Sequence, residues 1–358
     1  EILSVTSIIG TYGFNLFCIT LFTSPSLLFL GKLKYNKIIF GFFIFLTISF
    51  YVYGNSYKDT FSKTLVKEYD YKLRVIGSNI GLKRFYENTD ITSVLQELIK
   101  ISNPEASDKT IFVWPEGILP DIYQDELIQY SGLFNEKFSK NHFFILGINS
   151  RDTSKRIDFF NSFSLYDNEL NLLDSYNKIK LVPFGEFLPF EKILRSLGLK
   201  SLTNNYQSFS KGNERNIIKI NKGEFSLEIL PLICYEIIYS GELFDNSNFD
   251  LIINISEDGW FGQSIGPKQH FAHSIFRAIE SGKYVLRSAN NGIAAIINPL
   301  GEIQESVKLG QSGYADLKDV KKIQPTIFFK YGNKVFGLLI LLYILFIFSF
   351  NKINNERS

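Results

Sequence analysis

Methionine is missing altogether from these 358 residues, and tryptophan (two), cysteine (two) and histidine (three) are scarce. A chain that opens on glutamate and holds no methionine lacks a translational start, so an N-terminally incomplete sequence is expected. Two cysteines cannot build a disulfide framework. They also lie in unlike surroundings, Cys18 within an apolar run and Cys234 in a water-facing region, and are not expected to pair. The histidines offer no obvious partner for a thiol. His142 falls inside a strand-like run, and His270 with His273 gives two neighbours on a helical face but no evident third metal ligand. A net charge of +2 points to no nucleic-acid partner. No glycine-rich phosphate cradle and no Gly-x-Ser-x-Gly elbow occurs. Neither a metal nor a cofactor is therefore expected.

What the chain has in quantity is phenylalanine (35) and tyrosine (19). Three apolar runs, at 2–30, 38–57 and 334–351, approach the roughly 20 apolar residues that a membrane-crossing helix needs. The first is too long for a cleaved signal peptide. The third is bracketed by Lys334 and Lys352, whose ammonium groups can reach the interface. The link at 31–37 is short and carries Lys32, Lys34 and Lys37, which predicts a cytoplasmic loop; the tail at 352–358, with Lys352 and Arg357, agrees. Residues 58–330 then form one domain on the outer face, the periplasmic side of a bacterial inner membrane.

That domain alternates strand-like and helical runs, an α/β pattern. Strands are predicted at 73–80, 110–114, 142–149, 225–235, 250–255, 284–288 and 293–298, with a hairpin over 160–173 that turns at Asp167-Asn168. Helices are predicted from Asp90, as N-cap, to Ile101 and from Pro267 to Ser281, the latter stopped by Gly282.

Three residues that could do chemistry stand at strand ends, where such folds place working side chains. Glu116 follows Trp114-Pro115. Lys178 precedes the loop Leu181-Val182-Pro183-Phe184-Gly185-Glu186. Cys234 closes the apolar run Ile229-Leu230-Pro231-Leu232-Ile233 and precedes Tyr235-Glu236. Read singly, Glu116 and Lys178 fit ordinary surface positions, and a lone cysteine fits a buried, inert one. Read together they make a base, a cation and a nucleophile, which suffice for acyl transfer through a thioester.

The blocks Trp114-Pro115-Glu116-Gly117, Tyr176-x-Lys178-x-x-Leu181-Val182-Pro183-Phe184-Gly185-Glu186 and Cys234-Tyr235-Glu236 resemble the active-site segments of the nitrilase superfamily. Asp258-Gly259-Trp260-Phe261-Gly262, Gly266-Pro267-x-Gln269-His270-Phe271 and Leu286-Arg287-Ser288-x-Asn290-Asn291-Gly292 narrow the likeness to bacterial apolipoprotein N-acyltransferases. The resemblance covers residues 73–303 and the flanking spans. It implies an αββα sandwich inserted between transmembrane helices, with Glu116 as general base, Lys178 stabilising the oxyanion and Cys234 as nucleophile. Glu186, Tyr235, Glu236, Trp260 and Asn161 match supporting positions. The implied partners are a phospholipid acyl donor in the bilayer and the diacylglyceryl-cysteine N-terminus of an apolipoprotein as acceptor. The chain departs from the pattern in two ways: family members carry more spans, and Glu257 stands where an asparagine is usual. The competing expectation is a membrane-tethered amidase of the nitrilase type that hydrolyses C–N bonds with the same three residues.

Overall fold

The computed structural model describes residues 1–30, 34–87, 89–152, 158–190, 208–243 and 248–355. Strands β1 (Val66–Ser78), β2 (Thr110–Val113), β3 (Leu119–Tyr123), β4 (His142–Asp152), β5 (Asp158–Tyr166), β6 (Leu172–Asn177), β7 (Ile218–Lys222), β8 (Phe225–Ile233), β9 (Leu251–Glu257), β10 (Tyr284–Asn290), β11 (Ala294–Ile297), β12 (Ile303–Val307) and β13 (Gly313–Lys321) join in one continuous sheet. Its main order is β6-β5-β4-β2-β1-β10-β9-β8-β7. The strands at its centre run parallel, β1 with β2 and β10, β2 with β4, β10 with β9, and β9 with β8. Parallel strands are buried on both faces, which explains their unbroken Ile, Val, Leu and Phe runs.

Three apolar clusters show how the sheet folds over on itself. Alternate residues of β2 and β4 divide between two of them: Ile111, Val113, Phe143 and Ile145 face one way, Phe112, Phe144 and Leu146 the other. The first group meets Ile229, Ile233, Leu251, Ile253 and Ile255 of β8 and β9, so it lies between the two halves of the sheet. The second packs beneath helices α4 (Ile91–Ser102) and α5 (Ser131–Lys137). The third joins Leu230, Leu232, Ile252 and Val285 to Phe271 and Ala278 of helix α6 (Gly266–Ser281). Three interfaces imply four layers, the αββα sandwich expected from the motifs.

The predicted elements appear with small shifts. Asp90 caps α4, accepting from Thr92 N at 3.0 Å, and Gly282 ends α6 in the left-handed conformation (φ 67°). The hairpin is β5–β6, turning over 167–171. Among the described residues four strands lie outside the predicted set: β3, β7, β12 and β13. β13 runs antiparallel to β1 in a register that places Ala315 against Val75 and Leu317 against Leu73.

The apolar runs are helical, with differences in detail. The first is not one straight helix. α1 (Thr6–Thr23) is broken at Gly10 (φ 67°, ψ 175°), and 3₁₀ turns flank it at Ile2–Val5 and Ser24–Ser26 before the short α2 (Leu27–Leu30). The second, α3 (Lys34–Lys63), exceeds the predicted 38–57 at both ends. Residues 34–37 thus begin a helix instead of lying in a loop, while 31–33 fall outside the described residues. Helices α7 (Ile327–Tyr331) and α8 (Lys334–Asn355) close the chain, and the last three residues of the expected tail are not described. Ile2–Phe29 and Asn36–Lys63 are long and apolar enough to cross a membrane, by length and composition; the apolar part of α8, Lys334–Ser349, is shorter.

Candidate active site

Each of the three catalytic candidates follows the end of a strand, where the chain leaves the sheet. Cys234 follows β8 directly and adopts a left-handed backbone (φ 47°), unusual for a residue with a side chain. It heads a 3₁₀ turn, Cys234–Ile238. Glu236 holds that turn shut: its Oε2 accepts from Ile233 N at 3.0 Å, bracing the junction of strand and turn. Cys234 is 9% exposed.

Glu116 lies three residues beyond β2. Its Oε1 accepts from Asn161 Nδ2 at 2.7 Å and from Lys178 Nζ at 3.2 Å, and its Oε2 accepts from the Glu257 backbone N–H at 3.0 Å. β4 passes close beneath. A Cβ at Gly147 would sit 2.5 Å from the Glu116 Cα, so only glycine permits this approach. Lys178 follows β6 and is buried, its Nζ donating to Glu116 and, at 2.9 Å, to Glu186 Oε1. Asn161 of β5 donates from one Nδ2 to both carboxylates, reaching Glu186 Oε1 at 2.9 Å. Glu186 in turn ties down its own loop, accepting from Val182 N at 2.8 Å.

The electrostatics follow from burial and pairing. Burial works against the charge of Lys178, but the carboxylates of Glu116 and Glu186 outweigh it and hold the ammonium well above the ordinary lysine range. Burial, followed by the charge of Glu116, pushes the Cys234 thiol well above the ordinary cysteine range, although Lys178 pulls the other way. The sulfur therefore feels both charged partners, and at neutral pH it carries its proton.

Of the supporting candidates, Asn161 and Glu186 join this cluster directly. Glu236 acts through position: fully buried, it accepts from Tyr176 Oη at 2.6 Å, from Ile179 N and Lys180 N at 3.2 Å, and from Arg215 Nη2 at 3.0 Å. It thereby fastens the cysteine turn to the segment that follows Lys178. Two candidates stand apart from the charged cluster. Tyr235 is half-buried and packs edge-on against Tyr239, ring centres 5.5 Å apart. Trp260 is 52% exposed and leans on Phe85 and Tyr86. Phe261 and Ile265, close by in the sequence, are exposed as well.

A second buried cluster was not singled out for chemistry from the sequence. Asp258 accepts from Arg287 Nη2 at 2.8 and 2.9 Å and from the Ser256 hydroxyl at 2.8 Å, and it lies 2.9 Å from His270 Nδ1. Burial disfavours its charge, but Arg287, then His270, hold its carboxyl below the usual range. The other ring nitrogen, His270 Nε2, lies 3.1 Å from the Cys234 carbonyl oxygen. His270 thus meets the cysteine's main chain and not its thiol. Its motif was visible; what a helix and a strand end would do together was not. Glu257 pairs with Arg84 and accepts from Asn290 Nδ2 at 2.7 Å; burial still lifts its carboxyl above the usual range. Arg84 also donates to the Gly117 carbonyl at 3.2 Å, next to Glu116. Among the described residues no group of three or more His, Cys, Asp or Glu could hold a metal ion.

A carboxylate, a buried ammonium and a protonated thiol at a strained turn suit attack on an acyl carbon. The carbon-nitrogen hydrolase family model matches residues 89–318. An apolipoprotein N-acyltransferase of Rickettsia prowazekii is 33% identical over 357 residues, covering 98% of this chain and 69% of the relative. That of Rickettsia typhi is 34% identical, covering 95% and 67%, and that of Bradyrhizobium diazoefficiens 30%, covering 95% and 65%. The chain thus spans about two thirds of the length of these curated relatives. An amidase from Nesterenkonia sp. AN1 is a distant structural neighbour, with 12% identity, a TM-score of 0.46, and coverage of 71% of this chain and 93% of its own. By its family match and its one-third identity to curated relatives, the chain belongs to the carbon-nitrogen hydrolases, among the apolipoprotein N-acyltransferases.

Proposed function

We propose that the protein moves a fatty acyl group from a membrane phospholipid, through a thioester on Cys234, to the N-terminal amine of a lipid-modified cysteine in an apolipoprotein. The observation that carries this reading is the buried contact of Lys178 with Glu116 beside the raised thiol of Cys234. A thiol that keeps its proton at neutral pH needs a base at the moment of attack, and Glu116 is the carboxylate that its charge couples to most strongly.

In the first half-reaction Glu116 takes the thiol proton as the sulfur attacks the ester carbonyl. Lys178 stabilises the tetrahedral oxyanion. The S–C bond forms, the C–O bond to the glycerol breaks, and the proton passes from Glu116 to the leaving alkoxide. In the second, the acceptor's α-amine attacks the thioester and Glu116 takes its proton. The C–S bond breaks, the thiol is reprotonated, and the N-acylated product leaves. Ping-pong kinetics follow. Asn161 and Glu186 keep Glu116 and Lys178 aligned throughout.

The apolar helices supply the reason for a membrane setting. Extracting a diacyl lipid costs about 0.8 kcal/mol per buried methylene, so the site must come to the lipid. The basic residues at 31–37 orient residues 58–330 toward the periplasmic side of a multi-pass inner-membrane protein.

The test is acyl-enzyme formation. Protein incubated with radiolabelled phospholipid vesicles should acquire label that hydroxylamine removes, and Cys234→Ala should acquire none. Addition of a diacylglyceryl-cysteine lipopeptide should discharge the label as an amide. Discharge to free fatty acid with no amide would favour the membrane-tethered amidase instead.

A further inference from the structure

Helix α6 touches the membrane part of the chain as well as the cysteine turn. At Gly10 the first apolar helix breaks and restarts, which leaves the N–H groups of its new first turn without partners inside the helix. A side chain at Gly10 would run into the Phe328 ring, so the break is built into the packing. Glu280 answers the restart. Its Oε1 accepts from Thr11 N at 2.7 Å and from the Thr11 hydroxyl at 2.6 Å, and also from Ser240 Oγ at 2.7 Å. A carboxylate at a helix start is favoured by the helix dipole as well as by these bonds.

Arg277, one turn earlier, completes the joint. It pairs with Glu280 Oε2 at 2.8 Å and donates to Thr11 Oγ1 at 2.8 Å. The same guanidinium reaches the carbonyls of Ile237 and Ile238 at 3.4 and 3.2 Å, the far end of the turn that Cys234 heads. The near end, the Cys234 carbonyl, is met by His270 of the same helix. Thr326, just before α7 and α8, donates to the Glu280 main-chain carbonyl, and Asn333 Nδ2 donates to Ser240 O at 2.8 Å. One helix therefore grips both ends of the cysteine turn, the restart of the first apolar helix and the approach to the last.

Arg277 and Glu280 are fully buried. Buried ion pairs rarely add stability over apolar packing; their best-attested use is to fix register. We propose that Arg277 and Glu280 are positioning residues that lock the cysteine turn to the kinked helix at Thr11, and so set the depth and tilt of Cys234 over the ester bonds of a bilayer lipid. This rests on the reading that the acyl donor is a membrane phospholipid. The joint matters because a displacement of about 1 Å at a reacting centre can cost about 10²-fold in rate.

Thr11→Val keeps the side-chain shape and removes the hydroxyl; Thr11→Ser keeps the hydroxyl; Glu280→Gln removes the charge. Each is reconstituted in vesicles of phosphatidylethanolamine and phosphatidylglycerol. Two rates are read in the same vesicles: thioester formation from phospholipid, and iodoacetamide alkylation of Cys234 scored on its own peptide. Thr11→Val and Glu280→Gln should slow thioester formation at least tenfold with alkylation within twofold of wild type, and Thr11→Ser should stay near wild type. Parallel loss of both rates, or unchanged thioester formation in Thr11→Val, overturns the joint. Should Glu280→Gln fail to fold, Thr11→Val still decides. Wild-type protein that forms no thioester from these vesicles refutes the proposed donor itself, a result separable from failure of the joint.

Discussion

The backbone N–H of Glu257 donates to Oε2 of Glu116 at 3.0 Å, so the end of one strand holds a carboxylate that follows another, 141 residues earlier. Glu257 is itself pinned by Arg84, and Arg84 also holds the carbonyl beside Glu116. Arg84 and Glu257 thus frame the proposed base from two sides without touching the thiol.

Removing one partner of this buried pair should cost far more than removing both. Arg84→Met leaves a buried carboxylate uncompensated, at about 3–5 kcal/mol. The double variant Arg84→Met/Glu257→Met should recover much of that loss. Thermal unfolding of the purified protein in detergent checks it; equal destabilisation in single and double variants would show that the pair is not coupled.

Asn161 shares its Nδ2 between Glu116 and Glu186. Asn161→Leu removes that bridge and lets the two carboxylates move apart around Lys178. Acyl-enzyme formation should slow about 10²-fold, the scale of a displaced base, while Cys234 still alkylates. A normal rate would mean that Lys178 and the Glu257 N–H keep Glu116 aligned without the bridge.

Much of this site is visible in the residues because its members stand at strand ends. The apolar run before Cys234 ends where β8 ends, and Trp114-Pro115 marks the stop of β2. A strand's length and burial are local properties, and local properties leave patterns. The Asp258–His270–Arg287 cluster shows its motifs but not its contacts, since these need β9, α6 and β10 to meet in space. β13 went unpredicted for a related reason. Its inward residues Ala315, Leu317 and Val320 are separated by Asp and Lys, and their partner strand lies some 240 residues away. The kink at Gly10 is hidden likewise: within an apolar run a glycine reads as part of a span until Phe328 and Glu280 close around it.

The pH profile of the thiol is a direct check on its surroundings. Burial and the charge of Glu116 raise Cys234 above its ordinary value, so the protonated form is the one favoured by folding. Alkylation of Cys234 should therefore keep accelerating as pH rises through 9, whereas an ordinary thiol of pKa about 8.5 levels off. The same shift means that the stability it contributes is present at neutral pH and fades above about 9, where an unfolded thiol ionises first. An alkylation plateau at pH 8 or below would show a preformed thiolate and remove the need for Glu116 as base.

Lys178 tests whether shape or charge does the work. Its ammonium reaches Glu116 and Glu186 from a fully buried position, and a guanidinium is broader, planar and unable to present one compact donor. Lys178→Arg keeps the charge that tempers the Cys234 thiol but misplaces the donor proposed for the oxyanion. Turnover should fall about 10²–10³-fold, the usual loss when an oxyanion donor is removed. The alkylation pH profile should stay close to wild type, because the charge remains. Near-normal turnover would make the lysine a counter-ion for two carboxylates and nothing more; a shifted profile would show that the arginine had also moved the charge away from the sulfur.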